Sequence, residues 1–126
     1  MKISNQIKLF LFWSILALMS ITSVQAAQDH NIANSINHLK EALKTLSENK
    51  IDETLEHINV ARQAAKNVIG GSYEVQTQRA SGAMGKARRL LKQEKMENAE
   101  TQIKKAIGIL EKLADPNSQG GRGGLN

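Results

Sequence analysis

Residues 32–69, IANSINHLKEALKTLSENKIDETLEHINVARQAAKNVI, decide the fold. Ile32, Ile36, Leu39, Leu43 and Leu46 recur at intervals of 4, 3, 4 and 3. That spacing keeps one apolar stripe on an α-helix. Ile51, Leu55, Ile58, Ala61 or Arg62, Ala65 and Ile69 draw a second stripe. Between the two lies Ser47-Glu48-Asn49-Lys50, polar and long enough only for a turn. Asn49 suits the left-handed backbone that terminates a helix. The pattern predicts an antiparallel helical hairpin over about residues 30–70.

The second hairpin is expected over about residues 72–115. Gly70-Gly71 ends the second helix, Ser72 offers an N-cap, and Glu74 complements the dipole of the first turn. A third helix should run from Tyr73 to Lys92, with Val75, Ala80, Ala83 or Met84, Ala87, Leu90 and Leu91 inward. Its middle, Ser81-Gly82-Ala83-Met84-Gly85, is weak, because each interior glycine costs roughly 1 kcal/mol. Close packing of a small-residue face explains the segment; a local kink is the alternative. The fourth helix carries Met96, Ala99, Ile103, Ala106, Ile107, Leu110 and Leu113, with Lys112 near its end and Pro116 beyond it. Residues 116–126 form a glycine-rich tail.

The two halves read as copies. A shift of 45 places Ala42 on Ala87, Leu46 on Leu91, Lys50 on Lys95, Ile51 on Met96, Asp52 on Glu97, Ile58 on Ile103 and Ala61 on Ala106. The match includes both the apolar seam and the polar turn. Two such hairpins predict an all-α domain packed as a four-helix bundle.

Working outward to the N-terminus, Lys2 and Lys8 precede an apolar stretch, Leu9 to Met19, that contains Phe10, Phe12 and Trp13. Val24-Gln25-Ala26 then fits a small-residue cleavage pattern. This is the layout of a secretory signal peptide over residues 1–26, and the apolar run is short for a membrane span. The expectation is a periplasmic or secreted helical domain, residues 27–115, with no transmembrane span once the signal is cut.

Composition narrows the chemistry. The chain has no cysteine, which excludes disulfides, thiolate metal sites and cysteine nucleophiles. Past residue 26, Tyr73 is the one aromatic residue besides histidine, so the core must be built from Leu, Ile, Val, Met and Ala. No nucleophile–base–acid set can be assembled, and no phosphate-binding glycine loop follows a strand. A non-enzymatic protein is expected.

The histidines are His30, His38 and His57. His38 precedes Leu39 and His57 precedes Ile58, so both flank the buried stripe. Glu41 lies three residues after His38, and Glu53 four before His57, each within one turn. His38, His57, Glu41 and Glu53 are therefore candidate ligands for a divalent transition metal.

His38-Leu39-Lys40-Glu41-Ala42-Leu43, Thr54-Leu55-Glu56-His57-Ile58 and residues 99–106 together resemble the small metal-binding protein family. The resemblance spans about residues 30–113 and rests on rhythm, size and export signal. It implies a periplasmic helical bundle that binds a divalent metal such as copper, with His38 and His57 matching the recurring histidines. The second hairpin departs from the family pattern: Ala83 stands opposite His38 and Gln102 opposite His57.

Charge is the other uneven feature. Removing Lys2 and Lys8 leaves the chain from residue 27 onward at a net +3. Residues 27–70 are net −1, whereas residues 71–115 are net +3, with Lys86, Arg88, Arg89, Lys92 and Lys95 close together. Lys86, Arg88, Arg89 and Lys92 could dock an anionic surface or an acidic protein partner. Nucleic acid is not expected, since export would part the protein from most of it and one tyrosine makes no stacking platform for bases. A periplasmic helical-repeat interaction module using this face is the alternative function.

Overall fold

The computed structural model describes residues 27–68 and 71–115. Four helices account for nearly all of them: α1 (27–47), α2 (Ile51–Lys66), α3 (Gly71–Lys92) and α4 (Met96–Ala114). There is no strand among the described residues. The expected signal peptide, residues 1–26, and the glycine-rich tail, residues 116–126, lie outside them, as do Ile69 and Gly70.

The spacing read from the sequence becomes the core. Ile32, Leu39, Ala42, Ile58, Ala61, Met84, Ala87, Ile103, Ala106 and Leu110 are buried in one cluster fed by all four helices. Alanines dominate the contact faces, which lets neighbouring helices approach closely without aromatic filler. Ser35 of α1 donates a hydrogen bond to the Ala61 carbonyl of α2 at 2.9 Å. Helix α3 packs on both α2 and α4. Lys40 of α1 reaches Glu111 of α4 at 3.4 Å. The ring of neighbours therefore closes from first helix to last, and the two hairpins form a four-helix bundle.

The duplication is legible down to the backbone of the turns. Asn49 has φ 59° and Glu94 φ 61°. Lys50 (φ −93°, ψ 76°) and Lys95 (φ −92°, ψ 73°) follow with the same conformation. Lys50 N–H donates to Thr45 O and Lys95 N–H to Leu90 O, both at 2.9 Å. Asn49 N–H donates to Leu46 O, and Glu94 N–H to Leu91 O. Each turn is a Schellman cap, which satisfies the last carbonyls of one helix while the chain reverses. Neither Lys50 nor Lys95 caps the next helix with its side chain. Asp52, Glu53 and Glu97 in the first turns offset the helix dipoles instead.

Glu94 is the residue that a left-handed position tolerates less well, because its Cβ crowds the following carbonyl. Replacing Glu94 with glycine should stabilise the protein by about 1 kcal/mol, seen as a higher urea midpoint. An unchanged or lowered midpoint would contradict the turn geometry. The same change at Asn49, a residue already suited to this conformation, should gain less.

Three local expectations need correction. Val75 is 54% exposed, not inward. Helix α3 faces the core with half-buried Tyr73, then Thr77, Ala80, Met84, Ala87 and Leu91, at spacings of 4, 3, 4, 3 and 4. Val75 lies two residues from Tyr73 and from Thr77 and therefore points the other way. Ser72 lies within α3 and not at its cap, because the helix has already begun at Gly71. Gly82 and Gly85 are neither a kink nor a close-packed contact. The helix runs through them without interruption. A Cβ at Gly82 would meet nothing within 4 Å, and one at Gly85 would meet only the Arg62 guanidinium at 3.8 Å. The close-packed small face belongs to Ala80, Ala83 and Ala87.

Candidate functional site

A row of polar side chains runs along the seam between α1 and α2. Ser35, His38, Ala42 and Thr45 are spaced 3, 4 and 3 apart, and Thr54, His57 and Ala61 are spaced 3 and 4 apart. Those intervals put each set on one helix face. The antiparallel hairpin brings the faces together. Next to the turn, Thr45 and Thr54 share a hydroxyl–hydroxyl hydrogen bond at 2.8 Å. In that bond one threonine donates to the other, and the accepting hydroxyl gives its own proton to a backbone carbonyl, Ala42 O from Thr45 or Lys50 O from Thr54. Farther along, Ser35 reaches the Ala61 carbonyl. Between these contacts stand the two histidines.

His38 Nδ1 and His57 Nδ1 are 3.2 Å apart. The rings are tilted by 34°, with centroids 5.4 Å apart. Both side chains are half-buried. One ring donates its Nδ1–H and the other accepts with its lone pair; the two tautomeric assignments are equivalent. So the structure brings together the two imidazoles singled out from spacing.

It does not bring the carboxylates with them. Glu41 is exposed. Glu53 is exposed and lies 4.0 Å from Lys50. Lys50 is held above the ordinary lysine range, first by its hydrogen bond to Glu48 and then by the charges of Glu53 and Glu48. Among the described residues, no group of three or more His, Asp or Glu side chains converges on one point. His30 is exposed on α1.

The sequence reading missed that the histidines belong to a polar row. The signal was present in the 45-residue shift. Ser35, His38 and Thr45 fall on Ala80, Ala83 and Leu90; Thr54 and His57 fall on Ala99 and Gln102. The second hairpin fills the matching seam mainly with apolar groups. The first hairpin keeps hydroxyls and imidazoles there.

The basic residues of α3 occupy a different place. Arg62 of α2, with Ser81, Gly82, Gly85, Lys86, Arg88, Arg89 and Lys92 of α3, lines a groove of about 470 Å³. Lys86, Arg88, Arg89 and Lys92 were singled out by charge; Arg62 was read only as an alternative seam residue. In the structure Ala61 takes the seam and Arg62 is half-buried beside it. Lys95 stands outside the groove, exposed in the second turn. No described helix is long and apolar enough to cross a membrane. No protein-family model matches this chain, and comparison with curated proteins and with solved structures returns no match.

Proposed function

We propose that this is an exported, non-enzymatic metal-binding bundle of the small metal-binding type, in which His38 and His57 hold a divalent transition metal such as copper. The observation that carries this reading is the 3.2 Å separation of the two Nδ1 atoms. Imidazole suits copper, nickel and zinc. Both Nδ1 atoms come within reach of one ion, at metal–nitrogen bonds of roughly 2.0–2.1 Å, once the rings turn from facing each other, as their 5.4 Å centroid separation has them, towards a shared point. A metal would replace the Nδ1 proton, and the donating ring would change tautomer to carry its hydrogen on Nε2.

Two imidazoles alone make a low-coordination site. The remaining positions fall to water, since Glu41 is exposed and Glu53 is exposed beside Lys50. A site of this kind exchanges metal readily and fits buffering or transfer better than permanent storage. The signal-peptide pattern of residues 1–26 supports a periplasmic or secreted location. A repeat module with an open concave face fits less well, since α1 and α4 close on each other through Lys40 and Glu111.

The test is calorimetric titration of the purified protein with Cu²⁺. One ion per chain should bind at micromolar Kd or tighter. A His38→Ala/His57→Ala double variant should bind at least tenfold more weakly. His30→Ala, which leaves the pair intact, should match the wild type. Equal binding by the double variant would remove the pair as the site. A wild-type Kd of about 1 mM, worth only ~4 kcal/mol, would remove the function.

A further inference from the structure

We infer that the groove between α2 and α3 is a binding site for a linear oligophosphate. Three independent features of the groove lead there.

The first is charge without compensation. Arg62, Lys86, Arg88, Arg89 and Lys92 line the groove, and no carboxylate does. Ion pairs among the described residues join Lys40 to Glu111, Lys50 to Glu48 and Glu53, and Lys104 to Glu100. None of them uses a groove cation. Five cations face one depression.

The second is the state of the arginines. Arg62 Nε and Arg88 Nε are withdrawn from solvent and have no hydrogen-bond partner. With Nε closed to solvent, an anion in the groove meets the terminal Nη groups of each guanidinium. The Arg62 guanidinium reaches across from α2 to lie 3.8 Å from where a Cβ on Gly85 of α3 would sit. Arginine presents paired N–H groups that match phosphate oxygens in a planar fork.

The third is the floor. Gly82 and Gly85 sit in a helix interior, where glycine weakens the helix by roughly 1 kcal/mol relative to alanine. Packing does not require either of them, since a Cβ would fit at both positions. At Gly82 the missing side chain leaves open depth on α3, and at Gly85 it leaves the space over which the Arg62 guanidinium lies.

Shape selects the form of the anion. Ser81, Gly85, Arg88 and Lys92 make one row along α3, with Gly82, Lys86 and Arg89 beside it. From Ser81 to Lys92 the row extends about 16 Å along the helix axis. An elongated trough with cations along its length fits a chain of phosphates better than a single compact one. A flat array of lipid headgroups would meet a flat or convex basic face. The large hydrophobic side chains exposed among the described residues, Val60 and Val75, do not line the groove and could not anchor it to a bilayer.

The experiment is titration of the full-length-expressed, purified protein with tripolyphosphate in metal-free, low-salt buffer. Tripolyphosphate should bind one per chain, at least tenfold tighter than orthophosphate. Arg62→Gln/Arg88→Gln should weaken it at least tenfold. Gly82→Leu, which keeps every charge but fills the floor, should weaken it at least fivefold. Lys44→Gln/Lys105→Gln, which removes the same charge outside the groove, should stay within twofold. Circular dichroism should show all variants equally helical. Three results would overturn the inference: Gly82→Leu binding like the wild type, both double variants losing affinity equally, or binding to phosphatidylglycerol vesicles that tripolyphosphate does not compete away.

Discussion

Ile58→Ala and Ile103→Ala should each cost about 3 kcal/mol of stability, and the two costs should agree within ~1 kcal/mol. Both side chains are fully buried, and they occupy the same position of the two hairpins under the 45-residue shift. Truncating a buried isoleucine to alanine removes its transfer energy and leaves a cavity, together worth roughly 2–5 kcal/mol. A domain of this size is stable by about 5–15 kcal/mol in total, so either change removes a large share. The melting temperature should fall by roughly 4–8 °C per kcal/mol. Val60, two residues from Ile58 and 37% exposed, supplies the contrast. Val60→Ala should stay within about 0.5 kcal/mol. Urea denaturation monitored at the helical dichroism band measures all three. Equal costs at Ile58 and Val60 would mean that α2 does not present the face described. A large inequality between Ile58 and Ile103 would mean that the two hairpins do not share one core.

That symmetry also explains why the fold was legible and parts of the site were not. Ile32, Ile36, Leu39 and Leu46 announced α1 because their spacing is a property of the helix itself. The turns were equally local. Asn49 marked the first, and the repeat carried it to the second, although glutamate at position 94 gives no hint of a left-handed backbone. The misplacement of Val75 has a different origin. A β-branched apolar residue near a helix start looks like core, yet the phase of α3 is set by Ala80, Met84, Ala87 and Leu91 on its far side. Phase is decided by the whole face, not by one residue's hydrophobicity.

Gly82 and Gly85 misled for a related reason. Small residues amid a helix suggest close packing, and α3 does have such a face, made by its alanines. Which small residues face a neighbour depends on where that neighbour runs. The same holds for Arg62, whose membership in the groove needs α2 and α3 to be placed side by side. The histidines lay between these extremes. Their flank positions followed from Leu39 and Ile58, but a 3.2 Å meeting requires the register of the hairpin. The hydroxyls of Thr45 and Thr54 next to the turn help to fix that register.

Copper binding by His38 and His57 should fall at least tenfold between pH 7.5 and pH 5.5 and should change less than twofold between 0.05 and 0.5 M salt. Ligation needs the lone pair of a neutral ring, so each bound metal displaces protons from the pair. Histidine is the side chain whose charge ordinarily changes between pH 5 and 8. With two rings required, the loss can approach ~100-fold per pH unit once both are protonated. Salt has little purchase on it, because the bonds are short and the site is half-buried. The groove should show the reverse dependence. Arg62, Lys86, Arg88, Arg89 and Lys92 belong to residue types that stay charged across this range. Their hold on an anion is a set of partly exposed charge contacts, screened as the Debye length shrinks from ~10 Å at 0.1 M to ~3 Å at 1 M. Measuring Cu²⁺ and tripolyphosphate against both variables separates the two sites on one protein. Copper affinity that ignores pH but yields to salt would place the metal away from the imidazoles and end the metal-binding proposal.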